Sequence, residues 1–82
     1  MKQFYLQNLK SHITNSVKGK VKIIVKDDTA TVIIINKKLA IDYAYKVHDL
    51  TETIVAGYPS SMLANTIIKC YKNYVLNQIF VK

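Results

Sequence analysis

Near the N-terminus, Leu6, Leu9, Ile13 and Val17 recur at spacings of three and four, with Gln3, Gln7, Lys10, Thr14 and Lys18 set between them. That period predicts an amphipathic helix over residues 2–18 with one apolar stripe. Gly19 follows where a left-handed cap would close the helix, and Lys18 would meet the negative end of its dipole. The period then drops to two. Val21, Ile23 and Val25 alternate with Lys20, Lys22, Ile24 and Lys26, which predicts a strand with one largely solvated face. "DDT" reads as a turn and "ATVIII" as a second strand, and "NKK" as another tight connection because Asn tolerates positive φ. From Leu39 to about Val47 the alternation is the most regular in the chain, which gives a third strand.

The pattern changes again at "HDLTET". There Asp49 and Glu52 stand three residues apart in the manner of a capping box, so a short helix is expected to start at Asp49 and end at Gly57. "GYPSS" then supplies a terminator, a proline and a new Ser cap. From Ser60 or Ser61 to Phe80 no breaker intervenes, and Leu63, Ile67, Ile68, Tyr71, Val75 and Ile79 keep helical spacing. The expected architecture is α+β, a three-stranded antiparallel meander in α-β-β-β-α-α order, with the helices packed on one face. Residues 1–82 form one domain, and a chain this short buries only about 60–65% of its unfolded surface. The covered sheet face would carry Val21, Ile23 and Val25 with Leu39, Ile41, Tyr43 and Tyr45.

This arrangement leaves a question about the second strand, since Val32 to Ile35 are apolar without a break. Either Val32 and Ile34 or Ile33 and Ile35 must point away from the helices. Flanking Lys stems and Ile24 can shield a narrow stripe. The same stripe can instead be where a partner or a second copy of the chain docks.

Charge sharpens the functional side of that question. The net charge is +7, from twelve basic residues, all Lys, against five acids. Residues 1–26 hold six of these lysines and no acid, whereas residues 27–52 hold three lysines and all five acids. Such a field favours anionic partners and also keeps a small protein soluble. Twelve Lys without Arg, eleven Ile, six Asn and six Tyr are residues with A- and T-rich codons, pointing to an AT-rich genome such as that of a low-GC Gram-positive bacterium, its phages or its plasmids. The longest aliphatic run falls far short of the ~20 residues of a membrane span, and "MKQFYLQNLKSH" lacks a signal-peptide core, so a cytoplasmic location is expected, with no membrane partner.

Little in the sequence suggests catalysis. Cys70 is the single cysteine, which rules out an internal disulfide, and mid-helix beside Tyr71 it reads as a packing residue. With it, His12 and His48 are too few and too scattered for a structural zinc site, so no metal and no cofactor is expected. Asp27 and Asp28 read as turn formers. No Gly-rich phosphate loop or Ser-centred elbow is present. Binding remains. Lys18, Lys20, Lys22 and Lys26 gather around one turn and one strand face, while "IIKCYKNY" interleaves Lys69 and Lys72 with Tyr71 and Tyr74. Lys can neutralise phosphates and Tyr can stack on bases, with core packing as the alternative role for the tyrosines. Without Arg, nucleic-acid contact would address the backbone and not guanine edges.

The α-β-β-β-α order resembles the double-stranded RNA-binding domain over about four-fifths of the chain. That family carries a basic cluster at the start of its C-terminal helix, where this chain has "PSSMLANT" and no Lys before Lys69. The full α-β-β-β-α-α order is also similar to small anti-CRISPR proteins of Gram-positive phages, whose DNA-mimicking members are acidic where this chain is basic. The second resemblance implies a binding protein of a phage or mobile element, and with no catalytic motif the expectation is a non-enzymatic inhibitor or accessory factor acting on a host protein or nucleoprotein complex, through the open sheet face or the C-terminal helix. The first implies a backbone-directed nucleic-acid binder.

Overall fold

The structure, a computed structural model, describes residues 2–80. Its elements run α1 (Lys2–Ser16), β1 (Lys20–Lys26), β2 (Thr29–Asn36), β3 (Ile41–Val47), α2 (Leu50–Val55) and α3 (Ser60–Phe80). The three strands form one antiparallel sheet in the order β1-β2-β3. The α+β architecture read from the sequence is therefore the observed one.

Register decides which side chains share a face. Val21 pairs with Ile34, Ile23 with Val32 and Val25 with Ala30, and across the next ladder Ile34 pairs with Tyr43, Val32 with Tyr45 and Ala30 with Val47. These residues form the covered face. Ala30, Val32 and Ile34 are fully buried, and Val21, Ile41 and Val47 nearly so. Val25 shares that face but stays exposed at its hairpin end. α1 packs on β1, α3 on β3, and the two helices pack against each other. One apolar cluster results, joining Leu9 and Ile13 of α1, Leu50 of α2, and Leu63, Ala64, Ile67, Ile68 and Tyr71 of α3 to the sheet. Burying a large aliphatic side chain stabilises by about 1.5–3 kcal/mol, so this layer supplies most of the driving force.

Local chemistry sets the connections, and it differs from the sequence expectation in five places. α1 ends at Ser16, so Lys18 and Gly19 lie in a bend outside the helix. Gly19 is required there by close approach: a Cβ would lie 2.5 Å from the Ile35 carbonyl oxygen. β3 begins at Ile41 instead of Leu39, because residues 37–40 are needed to reverse the chain after Asn36. Leu39 is exposed, and the positive φ of that loop falls at Ala40 (53°) and not at Asn36.

Asp49, expected to cap α2, adopts a left-handed conformation and makes no side-chain cap. Asp28 does so from the β1–β2 turn. Its carboxylate accepts the Thr51 N–H at 3.1 and 3.2 Å and the Thr51 hydroxyl at 2.6 Å, and its carbonyl accepts the Leu50 N–H at 2.9 Å. The Leu50 and Thr51 amides of the first turn, which have no partner within the helix, are thus satisfied by a residue of the distant β1–β2 turn. Asp27 and Asp28 both have positive φ (50° and 62°), as the twist-matched two-residue hairpin turn requires. At the other end of α2, Gly57 (φ 78°) donates to Ile54 and Tyr58 donates to Thr53, the paired bonds of a Schellman cap. For α3, Pro59 accepts the first helical bond, from Leu63, in place of the expected Ser cap.

Candidate binding surface

The second sheet face answers the question raised by β2. Rows across it read Lys20–Ile35–Asp42, Lys22–Ile33–Ala44 and Ile24–Thr31–Lys46, with Lys26 beside Thr29 at the hairpin end. No residue of this face is buried, so no helix covers it. Ile33 and Ile35 are half-buried by their neighbours, whereas Ile24 is 55% exposed. The face is an aliphatic stripe, Ile24–Ile33–Ile35 with Ala44, edged by Lys20, Lys22 and Lys46.

The expected group of Lys18, Lys20, Lys22 and Lys26 is divided by the strand itself. At a rise of about 3.3 Å per residue, Lys26 lies about 20 Å along β1 from Lys20, next to the acidic turn. Other lysines take its place. Because β1 and β2 are antiparallel, the end of β2 returns to the start of β1, and the β2–β3 loop brings Lys37 and Lys38 to the bend that holds Lys18 and Lys20. These four lysines, with Gly19, Ile35, Asn36 and Leu39, line an open groove of about 580 Å³. None of its lining residues is acidic. In the sequence, Lys37 and Lys38 read only as turn residues; the meander order held the signal that would have placed them beside Lys18.

Asn36 holds the loop in position. Its Oδ1 accepts the Leu39 N–H at 3.1 Å, and its Nδ2 donates to the Tyr71 hydroxyl at 3.1 Å. Lys18 and Asn36 also border a second, smaller groove of about 330 Å³ between α1 and α3, with Tyr71, Lys72, Val75 and Leu76. Lys72 therefore joins the same end of the molecule. Lys69, one turn earlier on α3, is exposed and lines neither groove.

The tyrosines chosen from the sequence are packing residues. Tyr71 is only 5% exposed, and its ring lies 5.8 Å from that of Tyr43. Tyr74 is half-buried, 5.1 Å from the same Tyr43 ring. Base stacking needs a free ring face, so Tyr71 drops out of the candidate set. Burial raises the Tyr43 phenol above its ordinary pKa, followed by Cys70 and Tyr45 beside it. Tyr5 is raised in the same way, by burial and then by Tyr58, whose carbonyl accepts its hydroxyl at 2.8 Å. Both phenols stay neutral at physiological pH. Cys70 is half-buried against Tyr43, His48 Nδ1 lies 3.4 Å from the Thr29 hydroxyl, and His12 is exposed on α1. They belong to separate elements. Among the described residues no three His, Cys, Asp or Glu gather as a metal site, and no helix is long and apolar enough to cross a membrane. Comparisons with protein-family models, with curated proteins and with solved structures found no match to this chain.

Proposed function

We propose that this chain is a non-enzymatic binding protein that docks on another protein through the uncovered face of its sheet, as an inhibitor or accessory factor. The observation that carries the reading is the layout of that face, an aliphatic centre with lysines at its edges. Interfaces commonly have this anatomy, in which apolar side chains supply the buried centre and a charged rim orients the partner. A partner with an apolar patch ringed by carboxylates fits it. A second copy of the chain fits poorly, because Lys20, Lys22 and Lys46 would then face like charges. The composition supports a mobile element or phage of a low-GC Gram-positive bacterium as the source, and hence a host protein as the partner.

A photo-crosslinking residue at Ile33 tests this in an extract of such a bacterium, with the same residue at Gln7 on the exposed side of α1 as control. One discrete adduct is expected from position 33 alone, competed by unlabelled protein but not by the double variant Lys22→Glu/Lys46→Glu. Adducts from both positions, adducts from neither, or a crosslinked homodimer would refute the reading.

A further inference from the structure

The groove at the bend between α1 and β1 adjoins the sheet's apolar stripe and shares Lys20 and Ile35 with it, but its chemistry is different. Four of its eight lining residues are lysines, contributed by two segments that are 17 or more positions apart in sequence. Holding four ammonium groups around one open groove with no lining carboxylate is unfavourable unless an anion or solvent screens them. The nearest acid by register is Asp42, across Ile35 from Lys20. The backbone around the groove is also fixed. Gly19 packs on the Ile35 carbonyl, and Asn36 ties the Lys37–Lys38 loop both to itself and to Tyr71 on α3. This arrangement positions the backbone that carries the four lysines, all of which are exposed.

We infer that the groove lined by Lys18, Lys20, Lys37 and Lys38 binds the phosphodiester backbone of a nucleic-acid duplex. Charge complementarity selects an anion with several spaced charges. Lys is a compact point charge suited to single phosphate oxygens, and without Arg the groove has no fork for base edges. The choice of a duplex over a single strand follows from the rings. Single-strand binders stack bases on aromatic side chains, but this groove has no aromatic residue and the nearby Tyr71 is buried. A duplex keeps its bases inside and presents phosphates outside, which is all that lysines can read. Lys72, in the adjoining groove that shares Lys18 and Asn36, lies where the same backbone could continue.

Fluorescence anisotropy with labelled short DNA and RNA duplexes of mixed sequence, and with the corresponding single strands, tests the inference at rising salt. Four phosphate contacts give a slope of log K against log salt of about −3.6 for a duplex, or about 150-fold weaker binding between about 50 and about 200 mM salt. The variant Lys37→Gln/Lys38→Gln is expected to halve that slope. Lys26→Gln/Lys46→Gln, which changes equal charge elsewhere on the sheet, is expected to keep more of the slope than the groove variant. Lys37 and Lys38 lie outside the stripe that carries the protein-docking proposal, so absence of duplex binding by the parent protein with crosslinking at position 33 intact identifies failure of this inference alone. Absence of duplex binding at low salt, equal slopes for the two double variants, tighter binding of the single strand, or equal retention of a polyglutamate peptide would each overturn it.

Discussion

Replacing Asn36 by Ala removes two hydrogen bonds at once, one to the Leu39 N–H and one to the Tyr71 hydroxyl. At about 1 kcal/mol net for each bond, the single variant is expected to lose about 2 kcal/mol. Tyr71→Phe keeps the ring against Tyr43 and deletes only the hydroxyl, so it should cost about 1 kcal/mol. The two changes share one bond and so cannot add. The double variant is expected to lose about 2 kcal/mol instead of 3, a coupling of about 1 kcal/mol. Urea denaturation of the four proteins measures this. In thermal unfolding each kcal/mol corresponds to about 4–8 °C for a domain of this size. Hydrogen exchange adds an independent readout, since the Leu39 amide should lose protection in Asn36→Ala but not in Tyr71→Phe. Additive losses in the double variant would refute the bridge between the β2–β3 loop and α3, and with it the account of how Lys37 and Lys38 are positioned.

The Asp28 carboxylate is held below the ordinary aspartate pKa by the Thr51 hydroxyl first, with the Thr51 amide and Lys2 (3.2 Å away) adding to the effect. A depressed carboxylate contributes stability above its unfolded pKa and loses it as pH falls through its folded pKa. The thermal midpoint should therefore drop on acidification below about pH 4, and Asp28→Asn should be less stable at neutral pH and flatter in that acid range; an unchanged acid limb in Asp28→Asn would refute the cap. Gly19→Ala pushes a Cβ into the Ile35 carbonyl and should cost about 1–3 kcal/mol, whereas Gly57→Ala meets no atom and pays only for its left-handed conformation, about 1–2 kcal/mol. A larger loss at Gly57 in denaturant titration would contradict the close approach. Ile67→Ala, fully buried, should lose about 2–5 kcal/mol, while the half-exposed Ile79→Ala should stay within about 0.5 kcal/mol of the parent. Equal losses would contradict the placement of the core at the N-terminal part of α3.

The element order and the covered face were legible because they rest on periodicity. Val21, Ile23, Ile41 and Tyr43 alternate at a spacing only a sheet uses, and Leu63, Ile67, Ile68 and Tyr71 at one only a helix uses. What escaped the sequence rests on contacts between distant positions. Asp49 has the local pattern of a cap, yet Asp28 takes the role because hairpin and helix meet in space. Leu39 continues the alternation of β3 on paper, but the chain needs residues 37–40 to turn. The candidate site followed the same division. Lys20 and Lys22 were placed on the open face by their period, while Lys37 and Lys38 joined Lys18 through strand return, which no local pattern announces.

The strand order leaves β1 and β3 with unpaired outer edges, along which a foreign strand could add and extend the sheet from one molecule to the next. Lys20, Lys22 and Lys26 on one border and Lys46 on the other make such stacking electrostatically unfavourable between identical copies. Neutralising them by acetylation, or masking them in concentrated salt, would therefore lower that electrostatic barrier to edge-to-edge pairing of identical copies.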